Sequence, residues 1–281
     1  MSHPDASPGH ELQQLRAELV RSQQQVADMT AAQEEFLRAV SHDLRAPLRH
    51  VTSYGTLVRE VLHDLPPDVR QGAEVQEALG FLATMHQSAR RMGLMIDGLL
   101  ALARASGAPV QWQAVPLAQA VAQAQATLAA AQAPGPAVEW RIDPGLPTLH
   151  ADAALLHELL VQLLGNALKF SRGGTRPPCI AVQTADPLPA SEPRVAAASA
   201  QGDGAPQLVA FTISDNGAGF DNSRATQLFG VFQRLHRESE FEGVGAGLAL
   251  CRAIAQRHGG AITATGEPGV GCTVRVQWPG V

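Results

Sequence analysis

The 281-residue chain has little of several residue types that specialised proteins need, and each shortage excludes a class of function. Its three cysteines, Cys179, Cys251 and Cys272, are too few and too scattered for a disulfide framework or a zinc knuckle, and they suit a reducing cytosol. Aromatic residues make up only 4%, which argues against stacking platforms for single-stranded nucleic acid. The formal net charge of −5 provides no basic footprint, so we expect no nucleic-acid partner.

Long apolar runs are also missing. No run of about 18 apolar residues occurs, and the polar N-terminus lacks the apolar segment of a signal peptide. We therefore expect no membrane span and a cytoplasmic protein that is soluble or tethered only through a partner. With 45% hydrophobic residues, the chain can nevertheless bury a core, and its length is that of one large domain or two ordinary ones.

A long N-terminal helix is the first element that the pattern predicts. Residues 1–10 are predicted to be a disordered leader, and apolar residues then follow one heptad frame that Ser22 and Gln33 interrupt. The a and d residues are Leu12, Leu15, Leu19, Val26, Met29 and Phe36. This favours a coiled coil over residues 11–35, with a single amphipathic surface helix as the alternative. Pro47 lies in the continuation of the pattern, where we expect a kink or a slightly loosened turn.

A helical hairpin follows from a second amphipathic segment. Apolar residues recur at helical spacing from about residue 75 to 105, after a turn signal at residues 64–68. A hairpin this thin cannot bury both of its apolar faces alone, whereas two copies can do so by pairing into a four-helix bundle. We therefore predict a homodimer with residues 36–108 as its dimerisation domain.

The pattern changes at about residue 110 to a mixture of strands and helices, which predicts an α/β sandwich of one sheet with helices on one face. The fold class is therefore α+β, with the helical hairpin followed by the sandwich at 110–281. Helices are predicted at 116–132, 152–170 and 248–258, and strands at 110–115, 138–142, 180–183, 208–214, 261–265 and 273–278. Asp152 is a plausible helix cap, and residues 185–206 are predicted to be a flexible inserted loop.

His42 is the first candidate for chemistry, because it lies off the heptad seam and is expected to face solvent. A neutral imidazole can attack phosphorus at neutral pH, and the neighbouring Asp43 can hold its other N–H group. An exposed histidine beside an aspartate usually has no function, so the spacing alone leaves both readings open.

Glycine-rich runs and one helix face form the second set of candidates. The runs at 215–220, 243–248 and 269–273 allow the backbone to approach a phosphate, although each alone marks a turn about as often. They match neither the dinucleotide fingerprint nor a Walker loop. Asn166 and Lys169 share one face of a predicted helix, where an amide oxygen can ligate Mg²⁺ and an ammonium can neutralise phosphate. An ordinary outward-facing asparagine is the alternative.

Taken in order, these segments resemble the transmitter region of a sensor histidine kinase of two-component systems, with a GHKL-type ATP-binding domain. The resemblance covers about residues 30–281. The motifs are an H-box at 41–48, an N-box with Asn166 and Lys169, a G1 box at 215–219, an F-box at 228–236, a G2 box at 243–248 and a G3 box at 269–273. The H-box and the Phe-Gln-Arg-Leu-His string at 232–236 are most similar to the phytochrome-like group.

The resemblance implies that ATP with Mg²⁺ phosphorylates His42. It implies that Asp43 orients His42 and accepts its proton. It also implies that Asn166 holds Mg²⁺, that Asp215 accepts a hydrogen bond from the adenine amine, and that Arg234 reaches the γ-phosphate. The other residues that it assigns to the nucleotide site are Lys169, Phe170, Gly217, Gly219, Gly243, Gly245, Gly247, Leu248 and Thr273.

The resemblance further implies partners. We expect the phosphoryl group to pass to an aspartate of a response regulator receiver domain on a separate chain, and the lead-in helix to dock to an upstream sensor. An ATP-binding scaffold with little turnover and an ATP hydrolase independent of His42 are the alternatives. Gln162 stands where related hydrolases carry a catalytic glutamate, which disfavours hydrolysis. Ala46 stands where many relatives carry Thr or Asn, which weakens the expectation of phosphatase activity.

Overall fold

The computed structural model describes residues 8–107, 109–131, 137–172, 176–187, 208–237 and 240–280, and these form a helical part followed by an α/β part. The helical part contains α1 (Pro8–His63), α2 (Pro67–Arg70) and α3 (Ala73–Gly107). The α/β part contains β1 (Gln113–Pro116), α4 (Leu117–Ala131), β2 (Glu139–Ile142), β3 (Thr148–Ala151), α5 (Ala153–Ser171), β4 (Cys179–Ala185), β5 (Leu208–Asp215), a 3₁₀ segment (Asn222–Phe229), α6 (Gly247–Arg257), β6 (Ala261–Glu267) and β7 (Gly271–Pro279).

The two long helices form the predicted hairpin. Helix α1 continues without a break through Pro47, and α3 packs along it. The short helix α2 occupies the predicted turn and begins with Pro67, at a helix position where no backbone N–H is needed. Of the predicted disordered leader, residues 1–7 lie outside the described part of the chain, whereas residues 8–10 belong to α1, which begins earlier than predicted.

Much of the apolar surface of the hairpin is exposed in the single chain. The buried residues of α3 are Ala89, Ile96, Leu100 and Ala105. Large apolar side chains exposed on α1 and α3 are Leu15, Leu19, Val20, Val26, Met29, Phe36, Leu44, Val51, Tyr54, Leu57, Val58, Val61, Phe81, Met85, Met92 and Leu94. Exposed surface of this extent is typical of a protein-binding face, and the second copy that would cover it stays a prediction.

The α/β part contains two sheets rather than the single sheet that the sequence predicts. Five strands lie in the order β2-β4-β5-β7-β6, in which β2 and β4 are parallel and the other neighbours are antiparallel. Strands β1 and β3 form a separate antiparallel pair. The sequence does not reveal β3, because four residues are too few for a readable alternation, although Leu149 and Ala151 in this strand are fully buried.

Helix α5 lies at the centre of the core, and the sequence predicted it well. Asp152 caps its N-terminus, with Oδ1 accepting hydrogen bonds from the backbone N–H groups of Ala154 and Leu155 at 3.0 and 3.2 Å. Its leucines pack against the sheet and are buried together with Phe211 and Trp278. Helices α4 and α6 pack on either side of α5.

The C-terminal end of α3 is part of this same core. Ala105 is 1% exposed and packs within the core cluster of the α/β part, and α3 contacts α6. Arg257, at the end of α6, donates a hydrogen bond to the backbone carbonyl of Ala105. A cation is favoured at a helix C-terminus because the last carbonyls carry partial negative charge. The α/β part is therefore held against its own hairpin.

Two sequence predictions concern what the described residues do or do not contain. In the described ranges, no helix is both long enough and apolar enough to cross a membrane, as the sequence predicts. The flexible loop predicted at 185–206 lies largely outside the described part of the chain, because the described ranges do not include residues 188–207.

Candidate active site

A pocket of about 470 Å³ lies between α5, the end of β5, the loop before α6 and helix α3. Its volume is in the usual range for small-molecule sites, about 300–1,000 Å³. Most of the residues that the resemblance assigns to the nucleotide line it: Asn166, Lys169, Phe170, Asp215, Gly219, Arg234, Gly243, Gly245, Gly247 and Leu248. The fold thus brings the N-box, G1 box, F-box and G2 box around one cavity.

Asp215 is the most buried acidic group that lines the pocket. It ends β5, and its Oδ1 accepts a hydrogen bond from the backbone N–H of Gly217 at 2.9 Å. Burial raises the pKa of this carboxyl to about 6, although the N–H groups of Gly217 and Cys272 favour its charged form. At neutral pH the group is therefore mostly ionised, and it is a good acceptor for a donor in the pocket.

Lys169 is the main cation on the α5 side. Its Nζ lies 4.3 Å from the centre of the Phe170 ring, and it lines the pocket near Gly243. Burial lowers the pKa of Lys169 to about 8, and nearby Arg234 lowers it further while Glu242 opposes the shift. A partly buried ammonium with few neighbouring anions is suited to neutralise phosphate oxygens.

The loop from Phe241 to Gly247 closes the pocket as a lid, and Arg234 organises it. The two terminal guanidinium nitrogens donate to the carbonyls of Gly243 and Phe241, both at 2.6 Å. The backbone N–H of Phe232 donates to the carbonyl of Gly245 at 3.0 Å. The F-box therefore holds the lid through backbone contacts, in addition to the γ-phosphate contact expected for Arg234.

Two glycines are required by the backbone of the site. Gly219 has φ +62° and Gly245 has φ +77°, in the left-handed region that side chains disfavour. A Cβ on Gly219 would overlap the carbonyl of Glu267, and one on Gly245 would overlap the carbonyl of Gln233. The glycines thus permit close packing of the loops that shape the pocket.

Helix α6 begins at the pocket. Gly247 is its first residue, and both Gly247 and Leu248 line the cavity. The N-terminus of a helix carries free N–H groups and the positive end of the helix dipole, which favour an anionic ligand.

Gly217 and Thr273 are the two predicted nucleotide-site residues that do not line the cavity. Gly217 passes close to the backbone of Phe170, where a Cβ would not fit. The hydroxyl of Thr273 lies 2.9 Å from that of Ser214 on the neighbouring strand. Both residues support the walls of the pocket from behind.

Several pocket residues have no clear signal in the sequence. Phe241 is one of them, and it forms an aromatic cluster with Phe170 and His236, two residues of the predicted motifs, with ring centroids 4.8–5.3 Å apart. On the opposite side, Leu94, Asp97, Gly98 and Ala101 of α3 line the cavity, and we call these four residues the α3 wall. Gly98 touches Ala246 of the lid so closely that a Cβ on Gly98 would stand 2.6 Å from the Cβ of Ala246. Only the packing of one part of the chain on the other creates this wall.

His42 and Asp43 lie on α1, outside the cavity lining. The side chain of His42 is 87% exposed, as predicted, and its Nδ1 lies 3.2 Å from Oδ1 of Asp43. This geometry suits a neutral imidazole that donates from Nδ1 to the carboxylate and leaves Nε2 free as a nucleophile.

The donor set of the pocket fits Mg²⁺ only together with a phosphate ligand. Within the described residues, no group of three His, Cys, Asp or Glu side chains could hold a metal ion. Asn166 and Gln162, one helical turn apart on α5, both line the cavity. Amide oxygens are hard ligands, and Mg²⁺ usually takes few protein ligands and completes its shell with phosphates and water. Asn166 is therefore a fitting ligand for an ion that arrives with a nucleotide.

Two family models match the chain in succession. The His Kinase A (phospho-acceptor) domain matches residues 32–107, which include His42. The Histidine kinase-, DNA gyrase B-, and HSP90-like ATPase matches residues 151–281, which include Asn166, Asp215 and the lid.

Curated proteins of similar sequence include sensor kinases and phytochrome-like proteins. The chain is 30% identical to the sensor histidine kinase TrcS of Mycobacterium tuberculosis, over 96% of this chain and 48% of that protein. It is 29% identical to the phytochrome-like protein Cph1 of Synechocystis sp., over 96% of this chain and 31% of that protein. It is also 29% identical to drug sensory protein A of Synechocystis sp., over 88% of this chain and 35% of that protein. The chain thus spans about a third to a half of the length of these relatives.

The fold also occurs in a solved structure. Full-length ShkA in complex with AMPPNP has a TM-score of 0.53 and 23% identity, over 87% of this chain and 45% of that one. This likeness confirms the predicted architecture of a long helical region followed by an α/β ATP-binding domain. An ATPase domain that follows a phosphoacceptor domain shows that the chain carries the two domains of a histidine kinase, as its motifs predict.

Proposed function

We propose that this chain uses ATP to phosphorylate its His42 and then donates the phosphoryl group to an aspartate of a response regulator receiver domain. The observation that carries the proposal is the composition of the pocket. It is lined on one side by the predicted nucleotide residues of the α/β part and on the other by the α3 wall of the phosphoacceptor hairpin. A nucleotide in this pocket would lie against the helical part that bears the histidine.

Nucleotide recognition falls to groups whose electrostatics suit it. The ionised carboxylate of Asp215 accepts a hydrogen bond from the adenine amine. Phe170 provides an apolar ring beside the base, and Lys169 together with the N-terminus of α6 faces the phosphates. Asn166 would hold Mg²⁺, which when bound neutralises phosphate charge and favours the loss of the terminal phosphoryl group.

The phosphoacceptor chemistry needs only His42 and Asp43 from α1. Phosphoryl transfer demands an in-line nucleophile and charge neutralisation rather than covalent work by the protein. Nε2 of His42 is the free nucleophilic nitrogen. Asp43 lies 3.2 Å from Nδ1, where it stabilises the Nδ1 proton and then removes it. Asp43 thus keeps the imidazole neutral after it gains the phosphoryl group.

The quaternary arrangement belongs to the same proposal. Residues 36–108 form the dimerisation and phosphotransfer domain, and residues 110–281 form the catalytic domain. Two chains pair their exposed hairpin faces into a four-helix bundle in the cytoplasm. Residues 11–35, in which the apolar side chains of Leu15, Leu19, Val26 and Met29 are exposed in the single chain, extend this pairing as a coiled coil and receive a signal from an upstream sensor.

The test is incubation of the purified chain with γ-labelled ATP and Mg²⁺, beside a His42→Gln variant. We expect label on the native chain that is lost in acid, kept in base and absent from the variant, because phosphohistidine is acid-labile. Addition of purified receiver domains should then move the label to one of them. A His50→Gln variant, which changes another exposed histidine on α1, is the matched control and should label normally.

Other results would favour the alternatives. Tight ATP binding without any label would favour a scaffold that docks a regulator. Steady phosphate release from a His42→Ala variant would favour a hydrolase, although Gln162 cannot serve as the base that activates water.

A further inference from the structure

The register of the hairpin places the phosphoacceptor at the level of the pocket. Two contacts fix this register: Glu34 of α1 packs against Gly107 of α3, and Arg45 of α1 pairs with Asp97 of α3. His42 lies between Glu34 and Arg45, about 4.5 Å along the helix axis from Arg45. It therefore falls opposite the stretch of α3 just after Asp97, within the span of the α3 wall.

Asp97 also shows on which side of α3 the pocket opens. This residue lines the cavity, and its Oδ1 accepts a hydrogen bond from Nη2 of Arg45 at 2.6 Å. Arg45 is three residues after His42 on the same helix, and residues at this spacing lie on neighbouring parts of one helix face. The pocket therefore opens toward α1 of its own chain.

The catalytic part is held in this orientation by contacts within the chain. Arg257 binds the carbonyl of Ala105 at the end of α3, and Oδ2 of Asp152 accepts a hydrogen bond from the N–H of Gln111 in the connecting segment, at 3.0 Å. Gly98 of the α3 wall meets Ala246 of the lid directly. The catalytic part is thus anchored to its own α3 at both the lid and the connection.

From these three observations we infer that ATP in the pocket phosphorylates His42 of the same chain, with Arg45 and Asp97 as positioning residues; the inference rests on the proposed kinase function. The electron pair on Nε2 of His42 forms the new bond to the γ-phosphorus. The bond from that phosphorus to the bridging oxygen breaks, ADP leaves with its electron pair, and the Nδ1 proton passes to Asp43. The side chains of Arg45 and Asp97 are 53% and 61% exposed, so their ion pair adds little stability and serves orientation instead.

The test of whether transfer occurs within or between chains uses dimers of two differently tagged chains. These mixed dimers are purified by each tag in turn. In the first dimer, one chain carries His42→Gln and the other carries Asn166→Ala, so label arises only by transfer between chains. In the second dimer, a native chain is paired with a chain that carries both changes, so label arises only within a chain. Asp215→Asn replaces Asn166→Ala if that variant does not fold.

The expected results separate the two routes. The second dimer should label on its native chain at about half the wild-type level, and the first should label at less than about a tenth of it. Label on the first dimer and none on the second would overturn the inference. No label on the native homodimer would instead overturn the proposed function, and the inference with it. If the native chain sediments as a monomer, transfer within the chain predicts that the labelling rate per chain stays the same on dilution.

The positioning role of the ion pair has its own readout. Arg45→Ala and Asp97→Ala should each slow labelling of His42 about tenfold and change the ATP dissociation constant by less than about twofold. The double exchange Arg45→Asp with Asp97→Arg should recover part of the rate, because it restores the pair in reverse. Arg49→Ala, an exposed arginine one turn further along α1, is the control and should label normally. Equal losses in labelling and ATP affinity would mean that the pair acts on nucleotide binding, and this would contradict the positioning role.

Discussion

At the scale of single residues, the fold prepares the charges of the pocket through burial. Asp215 and Lys169 are an ordinary aspartate and an ordinary lysine in the sequence. Burial moves the pKa of Asp215 up to about 6 and that of Lys169 down to about 8. Both groups are still mostly charged at neutral pH, but a change of about one or two pH units is enough to neutralise either of them. The pH dependence of nucleotide binding should therefore have one step on each side of neutrality.

The acid step belongs to Asp215. Its carboxylate is the acceptor for the adenine amine, and it takes up a proton as the pH falls through about 6, so affinity should decrease on that side and level off above it. We expect a loss of up to about tenfold at about pH 5, measured by calorimetry with a non-hydrolysable ATP analogue. The Asp215→Asn variant should bind more weakly and lack this step. Since the phosphates of the nucleotide titrate too, the difference between the two profiles is the measured quantity.

The alkaline step belongs to Lys169. Its ammonium loses a proton as the pH rises through about 8, so affinity for the triphosphate should fall on that side. We expect up to about tenfold weaker binding at about pH 9 by the same calorimetry. Lys169→Arg keeps its charge at this pH and should show no step. A step that persists in Lys169→Arg would assign the titration to another group.

Arg234 shows how far a residue can be predicted from its motif. It lines the pocket, and its role in a nucleotide site and its expected contact with the γ-phosphate stay predictions. Its hydrogen bonds to the carbonyls of Phe241 and Gly243 were not predictable, because any residue has a backbone carbonyl. Only the path of the lid decides which carbonyls a guanidinium meets.

At the scale of elements, helix α5 was the easiest to predict and the most important for the site. It has a cap, a continuous apolar face and a polar face with Asn166 and Lys169, and all three are local features. Strand β3 and the 3₁₀ segment Asn222–Phe229 escaped prediction because short elements depend on their neighbours rather than on their own pattern. The separate sheet of β1 and β3 was not predicted for the same reason, because β3 is one of its two strands.

Asp152 makes two interactions, the cap of α5 and the hydrogen bond to Gln111, and one pair of substitutions can separate them. Asp152→Ala removes both the cap of α5 and the hydrogen bond to Gln111, and should lower the free energy of unfolding by about 1–2 kcal/mol. Asp152→Asn keeps an acceptor for the cap but cannot accept a second N–H at the position of Oδ2, so its loss should be smaller. Urea unfolding followed by circular dichroism measures both. Equal losses would mean that the cap contributes little and the connecting segment contributes most.

At the scale of the whole molecule, the hairpin has more apolar surface than one chain covers. Leu44, Val51 and Val58 lie seven residues apart on α1 and are all exposed. A strip with this spacing is the usual seam of a helical bundle. The strip therefore supports the pairing of two chains that we propose.

Charges on this strip should break the dimer. The double variant Val51→Glu with Val58→Glu places carboxylates where the second chain would bury them, and an unpaired buried charge is costly. We expect the native chain to sediment as a dimer and the variant as a monomer. Glu60→Lys, a charge change two residues after Val58 and on the other side of the helix, should leave the dimer intact. A double variant that stays dimeric would place the interface elsewhere on the hairpin.

The sequence by itself determined the two-part architecture, which depends on amphipathic spacing and capping between residues close together in the chain. The family and part of the pocket lining followed from the resemblance of its motifs to known proteins. The tertiary structure alone decided that the α3 wall closes the pocket, that Asp97 pairs with Arg45, and that Arg257 anchors the end of α3. These contacts join residues separated by 50 or more positions, such as the 52 between Arg45 and Asp97. No local pattern encodes them, because they arise only when one folded part packs on another.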